Sequence, residues 1–225
     1  MLSRFLKNFS KTLRVLPAAG LACGIACSHG ASLPDPQLDH PPITGGQHQT
    51  IVLAGGCFWG VQAVFQHTKG VSEAISGYAG GDAATATYKA VTSGTTGHAE
   101  AVKITYDPAR VTLGQILKVY FSVVHDPTEL NRQGPDHGTQ YRSEIFFAIP
   151  EQEKIAKAYI AQLQKAEVFS DPIVTLVEPL AAFYPAEDYH QDYATKHPEN
   201  PYIATHDLPK VADLKARFPE LYVEK

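Results

Sequence analysis

Cysteine is scarce in this 225-residue chain: Cys23, Cys27 and Cys57 are its only three, and none follows Cys57. That excludes a disulfide framework for the body, and a single unpaired thiol there calls for a chemical reason. Basic residues form no stripe and the formal net charge is −4, which argues against a nucleic-acid partner. Between Thr50 and Lys225 no apolar run reaches the roughly 18 residues that a membrane-spanning helix needs. Internal repeats and low-complexity blocks are absent too. What remains is an ordinary globular composition, 44% hydrophobic, long enough for one domain with a sizeable core.

Acidic residues are missing from the start, the first being Asp35. Arg4, Lys7, Lys11 and Arg14 precede the moderately apolar stretch Val15 to Cys27, which ends in small residues. This is the pattern of an export leader over residues 1–27, and a periplasmic or otherwise exported protein is expected. An organelle transit peptide and an ordered cytosolic segment are the alternatives. Cys23 and Cys27 each follow an alanine, as a lipidated cysteine would, but the glycine three residues before each fits that signal poorly. Residues 28–49 read as a linker. From Ser32 to Gln49 they are rich in Pro, Gly and His, which predicts flexibility and solvated His40 and His48. The body then runs from 50 to 225.

Thr50 to Gly55 reads as a buried strand, and Val61 to His67 as the start of a helix. Further strands are predicted over Val71–Gly77, His98–Tyr106, Ser143–Ile149 and Ile173–Leu180. Helices are predicted from Thr112, a plausible N-cap, to about Val124, and from Pro150 to about Glu167. Thr87–Ser93, Ala186–His197 and Ala212–Phe218 read as shorter helices. This order points to an α+β two-layer sandwich, a mixed sheet with a ferredoxin-like split βαβ core, extended loops and a C-terminal segment.

Gly56-Cys57-Phe58-Trp59-Gly60 holds the only tryptophan and the only body cysteine. Cys57 falls where a strand turns into a helix N-terminus, which favours a thiolate. With two large aromatics beside it, the thiol reads either as a nucleophile facing an apolar group or as a small core hydrophobe. In the strand that follows His98, Glu100 shares a face with Val102 and Ile104. A carboxyl facing a core holds its proton to higher pH and becomes an acid near neutrality, unless it is salt-bridged, for instance to Arg142. His98 reads as structural. Asp136 and Tyr141 sit in a loop before a buried strand, and Tyr88 and Tyr141 offer O–H donors for an oxygen atom. Tyr189 and Tyr193, four apart on one expected helix, wall a pocket or simply pack, with His190 between them. Two other chemistries stay open at this level. One is a cysteine hydrolase or acyl transferase pairing Cys57 with His98 or His190; the other is a metal carrier using scattered histidines.

Six segments together carry more. They are Gly-Cys-Phe-Trp-Gly at 56–60, Gly-Tyr-Ala-Gly-Gly at 77–81, Gly-His-Ala-Glu-Ala-Val at 97–102, His-Asp-Pro-Thr at 125–128, Asp-His-Gly-Thr-Gln-Tyr-Arg-Ser at 136–143 and Tyr-His-Gln at 189–191. In this order, from about Ile51 to Tyr202, they resemble the A-type peptide methionine sulfoxide reductases. The resemblance implies a catalytic domain over 50–225 that reduces methionine S-sulfoxide, free and in proteins, as oxidative repair. It implies that Cys57 attacks the sulfoxide sulfur and is left as sulfenic acid. Glu100, with Tyr88 and Tyr141, would bind the sulfoxide oxygen, and Glu100 would supply the proton that lets it leave as water. Phe58 and Trp59 would hold the S-methyl group, and Asp136 would help order the site. No metal or organic cofactor is implied, and a monomer is expected. Many members recycle through C-terminal cysteines, which this chain lacks. An external reductant is therefore expected, a thioredoxin, a glutaredoxin or a small thiol, or else Cys23 or Cys27 if the leader is retained.

Overall fold

The computed structural model describes residues 32–41 and 47–225, so the expected leader, with Cys23 and Cys27, lies outside the described residues. The centre is a six-stranded mixed sheet. It is built from β1 (Gln49–Gly55), β2 (Val71–Ala79), β3 (Ala99–Tyr106), β6 (Ser143–Phe147), β7 (Leu176–Pro179) and β8 (Phe183–Pro185), in the order β7-β6-β1-β3-β2-β8. Two short strands, β4 (Arg132–Gln133) and β5 (Asp136–His137), pair only with each other. β1, β2, β3 and β6 are the split βαβ core: β3 lies antiparallel between β1 and β2, and β6 antiparallel on the far side of β1. β7 extends the sheet parallel to β6. The expected α+β sandwich is what forms.

Alternation sorts each central strand between two cores. Ile51, Leu53, Val102 and Ile104 face the larger, helix-covered core, where α1 (Phe58–Gln66) supplies Phe58, Val61, Val64 and Phe65. Val52, Ala54, Ala99 and Ala101 face a smaller cluster with Phe146. β2 and β3 are joined through α2 (Tyr88–Val91). α3 (Leu113–Val119) starts with the expected cap: Thr112 and Gln115 form a reciprocal capping box. It then widens into a π-helical turn, Tyr120–Val124, which puts the Tyr120 hydroxyl 2.7 Å from the carbonyl of Ala54. α4 (Pro150–Lys165) opens on proline at its first turn, as its sequence suggests.

Two expectations need correction. The Pro-rich segment read as flexible is a docked strap over Ser32–Pro41. Leu33 is buried in the main core, and the Tyr159 hydroxyl and Gln162 amide donate to the carbonyls of Pro34 and Asp35 at 2.9 and 2.8 Å. Asp39 accepts the Gly114 N–H at 3.0 Å. The proline-rich strap forms no helix or strand, yet its carbonyls accept from side chains of α4 and its Asp35 and Asp39 carboxylates accept from α3. Ala186–His197 is not one helix either. A 3-10 turn, Asp188–His190, and α5 (Tyr193–Lys196) are separated at Asp192, whose φ is +60°. That break is left-handed backbone that no helix continues through.

Candidate active site

Gly56, at φ +88°, turns the chain from β1 into α1 and leaves Cys57 as the helix N-cap. A Cβ at Gly56 would lie 2.7 Å from Cβ and Cγ of Gln133, so only glycine lets the 126–141 loop close over the turn. Beneath the turn, His125 packs on Gly55, its Nδ1 3.2 Å from the Tyr120 carbonyl. Burial pushes His125 down to about 3, so it stays neutral, and the His-Asp-Pro-Thr motif acts here as a structural support.

Cys57 is buried, with 8% of its surface exposed. The helix start does not produce the expected thiolate. Burial pushes the thiol up, and the charges of Glu100 and Asp207 push the same way. The Trp59 N–H and Lys210 oppose them without overcoming them. The sequence rule failed because burial outweighs the helix start, and Glu100 and Asp207 add to it from distant parts of the chain.

Glu100 does face the helix-side core, 2% exposed, and Oε2 accepts the Phe58 N–H at 3.1 Å. Its carboxyl thus meets the first turn of the helix that Cys57 caps. Burial, reinforced by the charges of Asp136 and Asp207, lifts it to about 8 against the pull of that N–H. At neutral pH it is a carboxylic acid. The Arg142 salt bridge does not form, because Arg142 pairs with Glu144 at 2.6 Å. Tyr88 and Tyr141 lie within electrostatic reach of Glu100 and Cys57. Burial first, and those charges second, keep both phenols protonated as donors.

An aromatic wall completes the site. Phe58 and Trp59 have ring centroids 6.4 Å apart, and Phe58 also contacts His190 at 5.1 Å. Tyr193 stacks on Trp59 at 4.0 Å, whereas Tyr189 is 60% exposed and packs on His190 at 4.2 Å, so the pair expected on one helix face is divided by the Asp192 break. The Trp59 indole N–H donates to Nδ1 of His190 at 3.1 Å, and burial lowers the His190 pKa. His98 holds the Asp82 carbonyl at 3.0 Å, the structural reading. Neither histidine is set up as a base for Cys57. Among the described residues no three His, Cys, Asp or Glu side chains converge as a metal site.

Several contributors were given no role by sequence reading, although Gln191 lies in the Tyr-His-Gln motif. Tyr202 hydrogen-bonds Asp136 and meets Trp59 edge-on at 6.1 Å. Glu187 accepts from the Tyr78 hydroxyl and from the Tyr88 N–H, both at 2.9 Å, fixing α2 beside the site. Gln191 donates to the carbonyls of Ser76 and Ala186, at 2.9 and 3.1 Å, and accepts from the Gln62 amide at 2.9 Å. No periodicity or local spacing signals these long-range bonds. The sulfur opens on a cavity of about 80 Å³ lined by Asp136, Tyr202 and the Gln133–Pro135 turn. A larger hollow of about 570 Å³, between Leu163 and Ile173, contains none of these groups.

A buried thiol, a neutral acid and an aromatic wall match what the six motifs imply, and comparison with known proteins agrees. The family model for peptide methionine sulfoxide reductase matches residues 49–221. A relative from Mesorhizobium japonicum named peptide methionine sulfoxide reductase MsrA 2 is 61% identical, over 79% of this chain and 91% of its own. Methionine sulfoxide reductase A of Corynebacterium diphtheriae is 37% identical with a TM-score of 0.60, covering 75% of this chain and 85% of that one. Reduced Mxr1 of Saccharomyces cerevisiae is 32% identical with a TM-score of 0.63, covering 73% and 92%. Site geometry, family model and relatives converge on one conclusion: this chain belongs to the peptide methionine sulfoxide reductase family.

Proposed function

We propose that Cys57 is the nucleophile and Glu100 the acid in reduction of methionine S-sulfoxide, free or in proteins. The observation that carries this reading is the buried Glu100 carboxyl, held by the Phe58 N–H one residue from Cys57 in surroundings that favour its neutral form. Sulfoxide oxygen is a hydrogen-bond acceptor, and Tyr88 and Tyr141 donate to it alongside Glu100. Donors aimed at the oxygen where negative charge develops stabilise the transition state. Phe58 and Trp59 take the S-methyl group, and Asp136, held by Tyr202, orders the wall.

The Cys57 sulfur attacks the sulfoxide sulfur as the S–O bond breaks, and Glu100 delivers a proton to the departing oxygen. The thiol proton restores Glu100. Water then cleaves the transient S–S bond, methionine leaves, and Cys57 carries the oxygen as sulfenic acid. Overall, methionine sulfoxide gains two electrons and Cys57 loses two. One thiol condenses with the sulfenic acid to a mixed disulfide and water, and a second thiol frees Cys57. Both thiols come from an external reductant such as a thioredoxin, a glutaredoxin or a small thiol, or one comes from Cys23 or Cys27 where the leader is retained. The basic, acid-free start of the chain supports export, and N-terminal sequencing of the mature protein tests that.

The function is tested with resolved methionine sulfoxide epimers and dithiothreitol. The S epimer alone is expected to react, and Cys57→Ser is expected to be inactive. Turnover by Cys57→Ser, or equal use of both epimers, would overturn the reading.

A further inference from the structure

One wall of the Cys57 cavity is formed by groups with no role in holding the sulfoxide oxygen. From the C-terminal segment it receives His206 and Lys210, and among the described residues Lys210 is its one lysine or arginine. Lys210 belongs to α6 (Leu208–Arg217) and its Nζ lies 3.5 Å from Oδ1 of Asp207, three residues earlier. Asp207 is fully buried, and its second oxygen, Oδ2, has no hydrogen-bond partner among the described residues.

Neither helix capping nor a stability role accounts for this pair. The Asp207 side chain makes no capping bond to α6. A buried ion pair at 3.5 Å with an unpartnered oxygen does not recover the cost of desolvating both charges. Its placement points elsewhere. A Cβ at Gly60 would overlap Oδ1 of Asp207 and lie 3.1 Å from Nζ of Lys210. Gly60 stands three residues after Cys57, on the first turn of α1. Its bare backbone lets a carboxylate and an ammonium rest directly against the turn that Cys57 caps.

We propose that Lys210 and Asp207 are positioning residues that bias the charge of the Cys57 sulfur in opposite senses. Lys210 favours the sulfur anion from the cavity wall. Asp207 disfavours it, and also keeps Lys210 against the turn. The proposal rests on Cys57 being the nucleophile. The other groups around the sulfur cannot take the place of Lys210. Glu100 on β3 and Asp136 on β5 are acids, Tyr88, Tyr141 and Tyr202 are phenols, and His125 beneath Gly55 is neutral. That leaves His206 as the other basic group on this wall. In a partly desolvated site a neighbouring cation acts more strongly than it does at the surface. Asp207 is itself pushed up to about 6, by burial against the pull of Lys210, so at pH 7 and above it is mostly ionised and its opposition to the anion is in force.

The test is the rate at which iodoacetamide alkylates Cys57 in the full-length chain, from pH 6 to 10, read on the Cys57 peptide by mass spectrometry. Only the thiolate reacts, so the profile reports the charge of the sulfur. Lys210→Met is expected to slow alkylation at pH 8 several-fold. Lys210→Arg is expected to restore the wild-type rate, and Asp207→Asn to raise it. A structural role would not shift the two variants in opposite directions. An unchanged rate in Lys210→Met, or a change in the same direction in both variants, overturns the proposal. Should Asp207→Asn not fold, the contrast between Lys210→Met and Lys210→Arg still decides. Alkylation needs no sulfoxide, so this outcome is separate from that of the epimer assay.

Discussion

Two regions of the sheet each bury a glutamate, and they treat it in opposite ways. At the start of β6, Glu144 is 3% exposed and meets the Arg142 guanidinium at 2.6 Å. At the start of β3, Glu100 is 2% exposed and accepts a backbone N–H, that of Phe58. Burial lifts both carboxyls, but at Glu144 the arginine opposes the lift, whereas around Glu100 the neighbouring charges of Asp136 and Asp207 add to it. The first arrangement ties a loop to a strand, since Arg142 also donates to the carbonyls of Thr139 and Gly97 at 2.9 and 3.0 Å. The second stores a proton beside a sulfur. Depth of burial does not separate structural from functional acids here; the presence of a cation does.

The sharpest way to break this contrast is activity. Glu100→Gln removes the transferable proton and keeps the shape, so single-turnover formation of methionine should slow by about 10²–10⁴-fold. Glu144→Gln should change that rate by less than several-fold. Comparable loss in both variants would dissolve the distinction.

Stability should show the reverse order. Glu144→Gln leaves the Arg142 charge largely unpaired in a partly buried place and should cost about 2–3 kcal/mol in denaturant unfolding. Glu100 has the opposite sign. Its folded value of about 8 lies above the ordinary 4.5, so its contribution is fully present below about 4.5 and is lost as pH rises through 8. Glu100→Gln does not titrate. It should therefore gain on wild type between pH 5 and pH 9, by a few kcal/mol at the upper end. A difference that stays flat with pH would mean that Glu100 is not held neutral by the fold.

Much of this was legible in the chain itself. The β1 run, the glycine pair and the helical spacing after Val61 placed Cys57 at a strand-to-helix turn, and strict alternation after His98 placed Glu100 on the core face. These are local patterns with fixed periods. What escaped reading depends on residues far apart in sequence. The thiol is raised rather than lowered because the fold buries it, and Glu100 and Asp207 add to this from 43 and 150 positions away. Tyr189 and Tyr193 part company because one residue, Asp192, adopts left-handed backbone that its neighbours do not announce. The strap over Ser32–Pro41 was misread because proline content reports the lack of a helix or strand, not the lack of a docking partner.

The central claim is that Glu100 is a carboxylic acid at neutral pH. The infrared difference spectrum between wild type and Glu100→Gln tests it most directly. A protonated-carboxyl C=O band assigned to Glu100 should persist through pH 7 and disappear as pH rises through about 8. A band that vanishes near the ordinary carboxylate value of 4.5 would contradict it.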